Sequence, residues 1–175
     1  IAGTLAGANP ILLIRKMLPA YFTAIGTQSS AATIPVTLNQ TKENGVNEGI
    51  ADFTIPLCAT IHLSGSTITL VSCSMAVMML HGMPITFSGM FGFILMLGVT
   101  MVAAPGVPGG AVMAALGLLE SMLGFGPELT SLMIALYLTQ DSFGTACNVT
   151  GDGAISIIVN RIAGFKLIPP KKEEV

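Results

Sequence analysis

The chain has 175 residues, of which 52% are hydrophobic and 9% charged, and its mean hydropathy is +0.80; a soluble domain carries about a quarter charged residues, so this is membrane composition. Seven Lys and Arg against nine Asp and Glu give a net charge of −2, which leaves no basic patch for a nucleic acid partner. The three cysteines, Cys58, Cys73 and Cys147, all fall inside apolar segments, which speaks for packing and against a disulfide framework.

The sequence opens at Ile1 in mid-pattern and reads as a fragment of something longer. From the basic pair Arg15-Lys16 an apolar stretch runs to "TQSSAAT", resumes as "IPVTL" and stops at the polar "NQTKENGVNEG". Each half is too short to cross about 30 Å of hydrocarbon, which takes about 20 helical residues. With Arg15-Lys16 before it and Lys42 after it, the segment enters and leaves on one side. That predicts a re-entrant helical hairpin over 15–41 with its tip at Ser29 and Ser30.

The stretch 47–82 is long enough to span but is interrupted by "HLSGS", which brings His62, Ser64, Gly65 and Ser66 to mid-membrane depth. Non-helical backbone there is tolerated only facing protein or a water-filled cavity, so a broken spanning helix is expected. A second hairpin follows over 86–124, with arms Phe87 to Ala104 and Ala111 to Leu123 around the tip "PGVPGG", whose prolines and glycines cannot continue a helix. A last helix over 127–165 and a tail over 166–175 complete the chain.

Hairpin then interrupted helix thus occurs twice, "HLSGS" corresponding in place to "NVTGD". No Lys or Arg occurs from Glu43 to Asn160, so basic residues gather at the start, at Lys42 and at the C-terminus, which places all three, the C-terminus included, on the cytoplasmic side. The second copy then starts on the opposite side. The expected fold is an all-α integral membrane protein of two inverted repeats, the layout in which secondary transporters bind substrate and ion at the midplane.

Within the last helix, "TACNVTGDG" sets Asn148 and Asp152 in apolar surroundings. Asp141, Thr145, Asn148 and Asp152 recur at spacings of four, three and four, which puts them on one helix face, and Tyr137 extends the stripe by a turn. Polar residues also merely hold membrane helices together. A central carboxylate, however, costs at least about 2.5 kcal/mol and so faces a partner or an aqueous path. With no Lys or Arg in the embedded part, the positive partners are mobile ones: a cation and the ammonium of a substrate. Ser29 and Ser30 read either as turn residues or as part of a carboxylate-binding nest at two half-helix ends. His62 reads as a neutral spacer or as a titrating group.

These motifs together resemble the dicarboxylate/amino acid:cation symporter family, which includes glutamate and neutral amino acid transporters. "GTQSSAATIPVTL" is similar to its serine-rich first hairpin, "PLCATIHLSGST" to its seventh helix, "APGVPGGAVM" to its second hairpin tip and "TACNVTGDG" to its eighth helix. The resemblance implies the transport-domain core of a homotrimer, without the scaffold helices, in a plasma membrane such as the bacterial inner membrane. It implies a substrate cradle from Ser29, Ser30, Ser66, Val107 and Gly109, with Asp141 on the amino group and Gly144, Thr145 and Asn148 beside it. It also implies a sodium site from Asp152 with backbone carbonyls of Cys58, His62 and Asn148, and a second cation site around Thr60, Val102 and Ala104. No cofactor is expected beyond sodium as coupling ion.

Two departures matter. The family's Asn-Met-Asp-Gly-Thr is here His62-Leu63-Ser64-Gly65-Ser66, which removes one ion-site carboxylate, and the eighth-helix arginine of acidic-substrate members is here Gly144. The expectation is therefore sodium-driven symport of a neutral or polar amino acid. Uptake of a dicarboxylate or acidic amino acid, or proton coupling, is the alternative. A channel would need a continuous pore, and an intramembrane hydrolase built on His62 and Ser64 would lack a third catalytic group and an oxyanion loop.

Overall fold

The computed structural model of the chain describes residues 1–168; the end of the expected tail, with Lys171 and Lys172, lies outside the described residues. Among the described residues the secondary structure is all helical: α1 (Ala2–Ala6), α2 (Pro10–Thr27), α3 (Ser30–Glu43), α4 (Glu48–Ile61), α5 (Ser64–Leu80), α6 (Phe87–Met101), α7 (Gly110–Leu123) and α8 (Pro127–Ile162).

Local chemistry sets these boundaries. Asn9 accepts the Ile11 N–H and Pro10 takes the first helical position, so α2 starts well before the basic pair. Ser29 caps α3 by accepting the Ala32 N–H at 3.1 Å, Asn47 caps α4, and Thr86 caps α6. The chain leaves α6 at Met101, three residues short of the expected Ala104, because Val102, Ala103 and Ala104 close tight turns onto Val99, Thr100 and Met101. Past Ile162 the last helix is stopped by Gly164, with φ 85°, and by the Phe165 N–H turning back to the Asn160 carbonyl at 3.0 Å.

The long helix α8, about 54 Å at 1.5 Å per residue, organises the rest. Met133 and Tyr137 in its first half are fully buried in a cluster with Leu70 of α5, Phe93 and Leu97 of α6, and Leu119 of α7. In its second half Ala146 and Val149 pack on Met17, Ala20 and Ala24 of α2, while Ile157 joins Ala51 of α4. Helices α4 and α5 follow one another across a short break at His62 and Leu63, and together, Glu48–Leu80, they are long and apolar enough to cross a membrane. Side chains such as Phe22, Phe53, Ile68, Met79, Phe87 and Val99 are exposed on the outside, an apolar exterior that water would not favour.

One end of the molecule collects the basic residues. Lys16 donates to the Glu43 carbonyl at 2.7 Å, Lys42 pairs with Asp52 at 2.8 Å and Glu48 at 3.4 Å, and Ile168 N–H reaches the Gly45 carbonyl at 2.9 Å. The hydrogen bond to Asp52 holds the Lys42 ammonium above its ordinary pKa. Asn160 in the last turns of α8 accepts the Asn47 N–H at 2.9 Å, so the C-terminal end of α8 is tied to the α3–α4 connection.

Candidate functional site

Two helix connections and one helix break meet at the middle of α8. The connection between α2 and α3, at Gln28 and Ser29, touches the loop between α6 and α7: the Gly106 carbonyl accepts from Ser29 Oγ at 2.8 Å and from the Ala31 N–H at 3.2 Å. Glycine is required at 106, because a Cβ there would stand 2.5 Å from the Ala59 carbonyl oxygen. At the other end of the same loop, Gly109 takes a left-handed φ of 71° and gives its N–H to Asp141 Oδ2 at 2.7 Å. The second Asp141 oxygen accepts the Tyr137 hydroxyl at 2.9 Å.

About two turns further along α8, Asn148 serves the break. Its Oδ1 accepts the N–H of Gly65 at 2.8 Å and of Ser66 at 3.4 Å, and its Nδ2 donates to Ser66 Oγ at 2.9 Å. It thereby caps α5, which has no side-chain cap of its own, at the point where initial N–H groups lack helical partners. Close approach makes this possible: Gly65 lies against the Gly144 carbonyl, into which any Cβ would drive.

Another turn along, Asp152 is 1% exposed. Its Oδ1 lies 2.8 Å from His62 Nδ1, and its Oδ2 is buried with no hydrogen-bond partner among the described residues. The imidazole has room only because position 151 is glycine; a Cβ there would overlap the ring. The Cys58 carbonyl takes the His62 N–H at 2.8 Å, and among the described residues no backbone N–H reaches the His62 carbonyl.

Between these elements lies a cavity of about 10 Å³, lined by Gln28 and Ser30 from the first connection, Gly106 and Val107 from the second, Ser66 at the break, and Tyr137, Asp141, Thr145 and Asn148 from α8. That volume admits about one water molecule. Lys and Arg contribute nothing to its lining. Ser30 and Thr145 are each 3% exposed.

Of the residues singled out by sequence, Ser30, Ser66, Val107, Asp141, Thr145 and Asn148 line this one cavity. Ser29 and Gly109 hold its two rims. Gly144 does not line it. It is buried against α5, with Thr69 Oγ1 3.1 Å and Ser66 N 3.3 Å from where a Cβ would stand. Thr60 is exposed and bonds the Leu57 carbonyl at 2.8 Å, Val102 is exposed and Ala104 buried. The α4 carbonyl that meets the second loop is that of Ala59, next to Thr60. Ser64 is exposed at the start of α5. Sequence reasoning passed over Gln28, whose only signal was its place inside "TQSS".

An all-helical fold with exposed apolar sides, a broken helix and a buried, unpartnered carboxylate oxygen beside the break is consistent with a membrane transporter family. The sequence profile of the sodium:dicarboxylate symporter family matches residues 1–162, and the chain belongs to that family. It is 30% identical over 145 residues to an excitatory amino acid transporter of Caenorhabditis elegans, covering 82% of this chain and 29% of the relative. It is 28% identical over 160 residues to excitatory amino acid transporter 1 of Rattus norvegicus, covering 91% and 29%. With the serine/threonine transporter SstT of Acinetobacter baumannii identity is 31% over 157 residues, 87% of this chain and 39% of the relative. The chain therefore spans between 29% and 39% of the length of these relatives.

Proposed function

We propose that this chain forms the binding core of a secondary active symporter that takes up a neutral or polar amino acid together with a cation, sodium in the first instance. The observation that carries the reading is the pair of buried carboxylates on one face of α8: Asp141, in a cavity with no Lys or Arg in its lining, and Asp152 beside the helix break. In the proposed mechanism, Asp141 holds the substrate ammonium. The substrate carboxylate goes to the N-terminus of α3, whose Ala31 N–H and Ser29 hydroxyl now hold the Gly106 carbonyl. Backbone groups of the second tip occupy both places, so amino acid entry exchanges them: the ammonium replaces the Gly109 N–H, and the carboxylate replaces the Gly106 carbonyl. The cation is co-transported cargo at Asp152, whose Oδ2 lacks a partner, with the His62 carbonyl and, by its second lone pair, the Cys58 carbonyl as hard oxygen ligands.

In this reading α2–α3 and α6–α7 are re-entrant hairpins, and each is followed by a spanning segment with polar residues at its middle, α4–α5 and α8, as two inverted repeats. The end that carries Lys16, Lys42 and Arg161 is cytoplasmic. The full-length protein is a trimer in the plasma membrane, a bacterial inner membrane being the reading from sequence, and the scaffold helices lie outside this chain.

Reconstituted full-length protein, given labelled amino acids under imposed sodium or proton gradients, tests this. Saturable uptake with accumulation that collapses when the cation gradient is removed is the expected result. Flux that neither saturates nor depends on the gradient would instead indicate a channel. The imidazole on Asp152 favours a second reading in which the coupling ion is a proton; accumulation driven by a pH gradient in sodium-free medium would select it.

A further inference from the structure

Gln28 is the one non-glycine position among the described residues with a positive φ, at 51° with ψ 24°. It closes α2, its own N–H returning to the Ala24 carbonyl at 2.9 Å. A residue with a Cβ pays about 1–2 kcal/mol to stand in the left-handed region, and glycine or asparagine would end a helix there more easily. A glutamine kept in a strained backbone needs a reason outside the backbone. The residue lines the same cavity as Asp141 and Thr145.

The polar inventory of the cavity divides in two. Asp141 and the start of α3, with Ser30, are placed for the charged head of an amino acid. Asn148 and Ser66 are engaged with each other, and Tyr137 with Asp141. What remains for the side chain of the substrate is the Gln28 carboxamide and the hydroxyl of the buried Thr145. Both groups donate and accept, and neither is charged. A second carboxylate on the substrate would find no cation, and an added ammonium would meet no further carboxylate.

We propose that Gln28 is the specificity-determining residue of the site, its carboxamide hydrogen-bonding the side-chain hydroxyl or amide of a short, uncharged polar amino acid. This rests on the amino acid symport reading above. A site built to bond a polar group disfavours the analogue that lacks it, because its own polar groups are then left unpaired.

The test uses the full-length protein in proteoliposomes, as parent, Gln28→Gly and Gln28→Leu, with labelled serine, asparagine and alanine and a parallel melting curve. The expected parent prefers serine or asparagine to alanine. In both variants the kcat/KM ratio of the polar substrate to alanine falls about tenfold, the loss of one or two buried hydrogen bonds. Gln28→Gly melts at or above the parent temperature, since it relieves the left-handed strain, so a lost selectivity there has no folding defect behind it. Ratios unchanged within about twofold in both variants, or a parent indifferent between serine and alanine, overturn the assignment while leaving symport intact. A parent that takes up no amino acid at all overturns the symport reading and this assignment with it.

Discussion

Replacing Asp141 by asparagine separates the two tasks given to that carboxylate. In the structure it accepts two hydrogen bonds, from Gly109 N–H at 2.7 Å and Tyr137 OH at 2.9 Å, at 3% exposure. The amide keeps one oxygen for one of these donors and turns an NH₂ toward the other, a cost to this arrangement of about 1–3 kcal/mol. The fold, held by the long apolar contacts of α8, survives that. On the proposed reading, the substrate ammonium would by contrast lose its carboxylate in the cavity, and breaking such a buried pair costs about 3–5 kcal/mol, or roughly two to four orders of magnitude in affinity. Calorimetric titration of the purified full-length variant with the best amino acid found in uptake assays measures this, with cation binding followed in parallel as the control that should persist. Amino acid affinity within about tenfold of the parent, roughly 1.4 kcal/mol, would refute the assignment of Asp141 to the ammonium.

Asp152→Asn should raise the half-saturating cation concentration of uptake by tenfold or more, with a smaller effect on melting temperature; an unchanged cation dependence would exclude Asp152 as the ion ligand. Gly65→Ala forces a methyl group into the Gly144 carbonyl, and the overpacking should destabilise by about 1–3 kcal/mol, read as a lower melting temperature in detergent. The Lys42 pKa is raised in the folded state, chiefly by the Asp52 hydrogen bond, so the stabilisation is fully present below the ordinary lysine pKa of 10.5 and fades as the pH rises through the elevated value. The melting difference between parent and Lys42→Gln should accordingly be flat from about pH 7 to 9, where lysine stays protonated, and shrink only beyond 10.5.

Much of the site was legible because helices have a fixed period. The four-three-four spacing of Asp141, Thr145, Asn148 and Asp152 needed only 100° per residue to become a stripe, and all four are buried. The break at "HLSGS" was legible for a similar reason, since polar groups and a glycine interrupt an apolar run. The start of α2 lies at the Asn9-Pro10 cap, five residues before the basic pair from which the first hairpin was expected to begin. Other features are set by what lies across a contact. Gly144 sits one residue from Thr145, and helical periodicity alone left it at the border of the stripe; only the approach of Gly65 turns it toward α5. The engagement of Asn148 with the first N–H groups of α5 could not be read from α8 alone, because it depends on where the break falls 83 residues earlier. Gln28 was hidden because a left-handed glutamine leaves no trace in composition or spacing.

The two carboxylates of α8 end in opposite electrostatic surroundings, and this follows from which helix ends they meet. Asp141 accepts the N–H of Gly109, the N-cap of α7, where unpaired N–H groups carry about half a positive charge. Asn148 likewise stands at the positive end of α5. Asp152 instead meets His62, the C-cap of α4, where carbonyls carry the negative end of the helix dipole. Asp152 Oδ2 is buried without a hydrogen-bond partner among the described residues, and on the proposed reading it is the oxygen that a hard cation would complete. Asp141, already half compensated by a helix N-terminus, can exchange the Gly109 N–H for an ammonium at modest net cost. The chain thus sorts its two acidic residues, eleven positions apart on one helix face, by placing a helix start at one and a helix end at the other.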